Sequence, residues 1–162
     1  MEMGDVREAA RSGNGAALHD ETARHHGDLP AIEHHGTVQT HEDLRAESAQ
    51  FAGALGDLGL EPGDVMVQYL LNCPAYLVGA LGALKAGLAV SPANPMYTKR
   101  ELAYQIADAG ADAVLTHVAL LPQLRSALDE CDCDPAIIAV ESDADDVTAF
   151  ADARAEEPFV ER

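Results

Sequence analysis

Residues 81–117 read LGALKAGLAVSPANPMYTKRELAYQIADAGADAVLTH. The stretch opens inside an apolar helix, Leu81-Gly-Ala-Leu-Lys-Ala, which Gly87 ends. Leu88-Ala-Val-Ser-Pro follows as a short strand. After the loop Ala93-Asn-Pro-Met-Tyr, Thr98 with Glu101 three residues on makes a capping box. The helix behind it carries Leu102, Ile106 and Ala109 on one face and closes at Gly110. Asp112 to Thr116 is then another strand. Strands alternating with helices of this length predict βαβ units, hence an α/β fold with a mostly parallel sheet flanked by helices.

The flanks extend the same pattern. Upstream, Asn72-Cys-Pro opens the apolar helix, with Pro74 in its first turn, where no amide donor is needed. Asp64-Val-Met-Val-Gln-Tyr-Leu is the strand before it, entered through the turn Leu60-Glu-Pro-Gly. Leu44, Phe51, Ala52, Leu55 and Leu58 lie at helical spacing, with Thr40 as N-cap and Asp43 as a weaker capping-box partner; Gly59 stops that helix. Pro30–His35 and Thr37–Thr40 read as a short hairpin turning at Gly36. Residues 1–29 carry little pattern beyond one short helix and are read as a lead-in. Downstream, a helix is expected from Leu120 to Cys131 and a strand from Ala136 to Val140. Residues 141–162 read as an acidic tail with a short helix around Val147 to Ala153.

Composition narrows the partners. Asp and Glu total 28 against 10 Lys and Arg, a net charge of −18, and Lys85 and Lys99 are the two lysines. The acidic residues run along the whole chain and coexist with apolar periodicity, which separates this pattern from a disordered acidic tail. It fits an acidic surface adapted to high salt, where screening removes self-repulsion. Nucleic acid is disfavoured, because phosphate contacts need clustered Lys and Arg. No run of about 18 apolar residues indicates a membrane span. The odd cysteine count of three makes no disulfide framework and points to a reducing cytoplasm.

The motifs occur in a fixed order: Gly59-Leu-Glu-Pro-Gly-Asp-Val, Leu71-Asn-Cys-Pro-Ala-Tyr, Leu81-Gly-Ala-Leu-Lys-Ala-Gly, Pro92-Ala-Asn-Pro-Met-Tyr-Thr-Lys-Arg-Glu-Leu, and Ala109-Gly-Ala-Asp-Ala-Val-Leu. Together they resemble the N-terminal region of the AMP-forming, adenylate-forming superfamily: acyl-CoA synthetases, aryl-CoA ligases, luciferases and peptide-synthetase adenylation domains. The resemblance covers residues 30–140 and implies an incomplete N-terminal subdomain of the acyl-adenylate-forming fold. In intact relatives it implies attack of a carboxylate on ATP, then transfer of the acyl group to a thiol such as coenzyme A, as in fatty acid metabolism. That chemistry uses a Gly/Ser/Thr-rich phosphate loop ending in Pro-Lys, an acidic residue for Mg²⁺, a ribose-binding Asp and a lysine on a mobile C-terminal domain. No Ser-Gly-Thr-Thr-Gly-like run occurs in these residues, and no Walker-type Gly-Lys-Ser/Thr. The expectation is a chain truncated before the phosphate loop, with no catalytic residue, no metal ligand and no assigned substrate-binding residue. It would take no cofactor alone, ATP, Mg²⁺ and coenzyme A belonging to the intact family. Its partner would be a separately encoded remainder of the ligase, or a second copy. The competing reading is a non-catalytic stand-alone interaction module; an unrelated nucleotide-binding α/β protein is disfavoured by the missing phosphate loop.

Several residues invite sharper readings. Gly13-x-Gly15 lacks a preceding strand, and Leu18 occupies the third glycine position, so a dinucleotide loop is set aside. The pairs His25-His26 and His34-His35 are read as surface or hairpin histidines, because adjacent strand residues point to opposite faces and no further ligands complete a metal site. Cys131-x-Cys133 lacks the second half of a zinc site and the Cys-x-x-Cys spacing, so it is read as incidental. Lys99 and Arg100, the adjacent basic pair, could attract an anionic nucleotide or coenzyme A phosphate, but a solvated helical turn paired with carboxylates is favoured. Asn72, Asn94 and Tyr97 lie where strands end. Tyr97 could border an acyl or coenzyme A channel; turn chemistry explains the asparagines equally well.

Overall fold

The computed structural model describes residues 15–142, 144 and 146–151. A helix α1 (Gly15–His26), the short helix expected in the lead-in, precedes an antiparallel hairpin of β1 (Pro30–His34) and β2 (Thr37–Thr40). The turn falls at His35 and Gly36, both with positive φ. Then come α2 (His41–Asp57), β3 (Val65–Tyr69), α3 (Pro74–Lys85), β4 (Ala89–Pro92), α4 (Lys99–Ala109) and β5 (Ala113–His117). A 3-10 turn, Val118–Leu120, leads to α5 (Leu121–Cys131), β6 (Ala136–Val140) and β7 (Thr148–Ala149). The five later strands form one parallel sheet in the order β4-β3-β5-β6-β7.

Local chemistry sets the helix boundaries where the sequence indicated. Thr40 and Thr98 each close a full capping box, with Asp43 and Glu101 respectively. Each carboxylate accepts the backbone and side-chain donors of its threonine, which holds its pKa below the ordinary carboxylate range. The tail departs from expectation. Thr148–Ala149 is a strand beside β6 where a helix was expected, and residues 152–153 lie outside the described set, as does Gly13. The cause is tertiary: Phe150 is buried, its ring centroid sits 5.0 Å from that of Phe51, and its amide donates to the Ala139 carbonyl at 2.9 Å. Such contacts override the weak local helix preference of an Asp- and Thr-containing segment.

Both sheet faces are covered. On β3 and the residue after it, Met66 and Leu70 pack with Leu44, Phe51, Leu55 and Val78 beneath α2 and α3, while Val67 and Tyr69 pack with Leu102, Ile106 and Leu124 beneath α4 and α5. This is the period-two alternation of a strand buried on both sides. Close approach of α3 needs the absence of side chains. A Cβ on Gly82 would lie 2.7 Å from Phe51 Cδ1 and 2.9 Å from the Ser48 carbonyl oxygen, and one on Gly79 would collide with Leu115. Ser48 itself is buried and donates back to Leu44 O at 2.7 Å.

The β4 edge is blunted. Ala89 and Ala93 send their amides inward, to Asp64 O and Gln68 O. Pro92 has no amide to offer, and Gln105 Nε2 donates to its carbonyl at 2.9 Å. The opposite edge, β7, has two residues.

Gly56 and Gly82 give opposite expectations under the same change. Gly56→Ala enters open space in a helix and should stabilise by about 0.5 kcal/mol. Gly82→Ala must displace the backbone of α2 and should destabilise by about 1–3 kcal/mol despite its better helix propensity. Chemical denaturation of the two variants checks this; a stabilised Gly82→Ala would contradict the packing account.

Candidate functional site at the carboxyl edge of the sheet

From β3 the chain passes outward to β4, then back across to β5 on the other side of β3. The loops leaving β3 and β5 therefore diverge, and a crevice opens at their carboxyl ends, the usual ligand position in open α/β sheets. A hollow of about 630 Å³ lies there, between Leu71, Asn72 and Cys73 after β3, His117 at the end of β5, and Glu141 after β6. A second, of about 460 Å³, lies between the same Leu71-Asn72 segment and the loop Asn94–Tyr97. Asn72 thus borders both, and Asn72, Asn94 and Tyr97 share one hollow. Another hollow, of about 760 Å³, is a depression along the outer side of α4, touching the edge through Pro92 and Tyr97. It lies off the switch point, so the two hollows at the edge are the better site.

The loop after β4 is held from several directions. Asn94 Oδ1 accepts the Met96 amide at 2.9 Å, and Tyr97 N donates to Asn94 O at 3.0 Å, the turn chemistry expected of this asparagine. Tyr69 Oη reaches Pro95 O at 3.3 Å, Gln105 Nε2 bonds Ser91 Oγ at 3.0 Å, and Gln123 Nε2 donates to Tyr97 O. Burial raises the pKa of the Tyr69 phenol, so it stays a neutral donor. On the other side of β3, the fully buried Gln68 donates to the Tyr76 carbonyl and so ties the first turn of α3 to the strand. At the far lip, the Ala119 amide donates to His117 Nδ1 at 3.1 Å, which leaves Nε2–H to face Glu141 Oε2 at 3.2 Å. This fixes the ring's tautomer and bridges the ends of β5 and β6.

Among the residues singled out earlier, Lys99 pairs with Glu130 at 3.1 Å across α4 and α5, as a solvated turn should. Arg100 is exposed beside the depression on α4. His25 pairs with Glu21. His34 and His35 do not point to opposite faces. His35 leaves strand geometry with φ 49°, and the two rings meet edge-on with centroids 4.1 Å apart beside the larger crevice hollow. Among the described residues no group of three or more His, Cys, Asp or Glu could hold a metal. Cys131 and Cys133 are free thiols; contact with Cys131 and then burial push the Cys133 thiol up to about 11, away from reactivity. Tyr69, Gln105, Gln123 and His117 were missed. Gln68 had a signal, as a polar residue inside an otherwise apolar strand.

A doubly wound α/β domain with a crevice at its switch point is a nucleotide- or cofactor-binding class of architecture. The profile of AMP-binding enzymes matches residues 19–161, and the chain belongs to that family, as an N-terminal region of AMP-forming acyl-CoA synthetases. A long-chain-fatty-acid–CoA ligase of Salmonella typhimurium is 38% identical over 99 residues, which is 60% of this chain and 18% of that protein. The rice 4-coumarate–CoA ligase 3 is 33% identical over 90 residues, 56% of this chain and 16% of that one. A benzoate CoA ligase from Burkholderia xenovorans LB400 superposes with TM-score 0.81 at 25% identity, covering 90% of this chain and 29% of that structure. The chain therefore matches less than a fifth of the length of these curated relatives.

If the side-chain clamp sets the Asn94–Tyr97 loop, Gln123→Ala should speed amide exchange at residues 96–98 and cost about 1 kcal/mol of stability, while α2 and α3 keep their protection. Unchanged exchange in that loop would show that the clamp is not needed.

Proposed function

We propose that this chain forms the N-terminal wall of an AMP-forming acid–thiol ligase and does not catalyse by itself. The observation that carries this reading is a carboxyl-edge crevice built from well-clamped loops that contain no phosphate-holding groups. Its walls offer Asn72, Cys73, His117 and Glu141 with apolar Leu71 and Phe150. They include the carboxylates Glu47 and Glu141 but no lysine and no Gly/Ser/Thr-rich loop, so the groups that would hold the phosphates of ATP are not among them. In intact relatives the reaction would join a carboxylic acid to AMP and then to coenzyme A. The names of the relatives support a fatty or an aromatic acid. The free thiols, and the absence among the described residues of a helix long and apolar enough to cross a membrane, support a cytoplasmic setting.

A second reading is favoured by one observation: both sheet faces are covered and the β4 edge is blunted, as in a self-contained unit. On that reading the chain is a non-catalytic module that pairs with a separate chain carrying the phosphate loop, or with itself. One assay separates the cases. The purified chain should show no acid-dependent ATP–pyrophosphate exchange with fatty or aromatic acids, and exchange by the chain alone would overturn the first reading. A soluble one-to-one complex with a separately produced ligase remainder supports the module, whereas an aggregated or partly unfolded chain counts against it.

The net charge of −18 supports a further part of the proposal, adaptation to high salt. Raising salt from about 0.1 M to about 1 M shortens the screening length from about 10 Å to about 3 Å. The melting temperature should rise over that range; a melting curve indifferent to salt removes the idea.

A further inference from the structure

Helix α1 lies against α2 and α3 with no large side chain of its own fully buried. Its buried residues are Ala16 and Ala23, and Gly15 lies beside the Leu84 side chain of α3. Ala17 and Leu18 are half-buried, and polar groups supply the rest of the contact. Lys85, at the end of α3, has a side chain only 9% exposed; its Nζ meets Asp20 Oδ1 at 2.7 Å and donates to the Arg45 carbonyl on α2 at 3.1 Å. One turn away, His19 Nε2 meets His41 Nδ1 at 3.4 Å, with ring centroids 5.5 Å apart. His19 Nδ1 is buried without a hydrogen-bond partner among the described residues, the nearest carboxylate oxygen being that of Asp20 at 3.9 Å. The backbone closes the junction: Glu42 N donates to Gly27 O at 2.9 Å and His41 N to Leu29 O at 3.1 Å.

We propose that α1 is a proton-operated strap: protonation at the His19–His41 contact releases Gly15–His26 from α2 and α3. A contact between two ring nitrogens holds when one carries a hydrogen and the other a lone pair. One added proton can still be shared along it, but two leave N–H groups facing each other. The groups that face His19 are Asp20 on its own helix, His41 and Arg45 on α2, and Lys85 on α3. Asp20 is already engaged by Lys85, and Arg45 is held by Glu42 at 2.9 Å, so neither is free to move in response.

The sign follows from the surroundings. Burial is the first cause that lowers the His19 pKa; Asp20 opposes it, and His41, Lys85 and Arg45 add to it. The docked helix therefore binds fewer protons than the released one. Docking is complete above the ordinary histidine value of about 6.5 and weakens as the pH falls below it. Against release stand the Lys85–Asp20 pair and the buried Ala16 and Ala23, so loss of the ring contact weakens docking without abolishing it.

Amide exchange of the full 162-residue chain, expressed as protection factors at about pH 7.5 and about pH 5.5, tests the strap. Protection of α1 should fall by up to about tenfold per pH unit for the proton taken up beyond the shared one, while α4 and α5 keep theirs. His19→Gln should abolish the fall, and His25→Gln, on the exposed side of α1, should retain it. Should His19→Gln leave α1 unprotected at both values, Lys85→Gln takes its place: without the buried cation the pH response must shrink. Equal α1 protection in the wild-type chain, an undiminished response in both His19→Gln and Lys85→Gln, or loss of α4 and α5 in step with α1 overturns the proposal.

Discussion

At Gly82 the α3 backbone approaches α2 so closely that a single methyl group would press on the Phe51 ring and the Ser48 carbonyl oxygen. Much of the architecture depends on that spacing. It lets Phe51 and Leu55 reach the sheet together with Val78 and lets Gly79 pass over Leu115, so that two helices share one face of β3 and β5. With α3 seated, its first turn projects to the carboxyl edge, where Gln68 holds the Tyr76 carbonyl. At its other end Gly87, with φ 83° and against Pro62, turns the chain directly into β4. The crevice thus inherits its position from a contact between helices that contributes nothing to its lining.

Such an arrangement divides into parts that one sequence reveals and parts that it does not. The capping boxes at Thr40 and Thr98 were legible because donor and acceptor lie three residues apart, and helix stops at Gly59, Gly87 and Gly110 because one residue's backbone freedom decides them. The strand β7 was not legible. It exists because Phe150 finds Phe51, a residue far away in sequence, and nothing local to Thr148–Ala149 encodes that. The His34-His35 pair misled in a related way, since strand alternation fails once His35 enters the turn.

The site divides likewise. Its strand-end positions, Asn72, Asn94 and Tyr97, could be named from turn residues and strand ends. The side chains that hold those positions could not. Gln105, Gln123 and Tyr69 come from a neighbouring helix, a later helix and an adjacent strand, and each spends its polar group on a carbonyl at the end of β4 or in the loop after it. A glutamine on a half-exposed helix face gives no sequence signal, because solvent would satisfy it equally well. The junction of α1 was hidden for the same reason: Asp20 and Lys85 look like surface charges until the fold buries them against each other.

Charge bears on what such a crevice can do. Among the described residues Arg24, Arg45, Lys85, Lys99 and Arg125 each pair with a carboxylate, leaving Arg100 as the cation outside such a pair. A nucleotide triphosphate approaching this surface meets neutralised cations and an excess of carboxylates, which repel it at low salt and are screened at high salt. The loops around Asn72 and Tyr97 are themselves held fast, by Gln68, Tyr69 and Gln123 on their carbonyls or on that of the neighbouring Tyr76. Their rigidity has a different use. A wall whose loop carbonyls are already held by buried or partly buried side chains would lose little further freedom were another surface to close over it, which is the energetic advantage the proposed ligase wall would have.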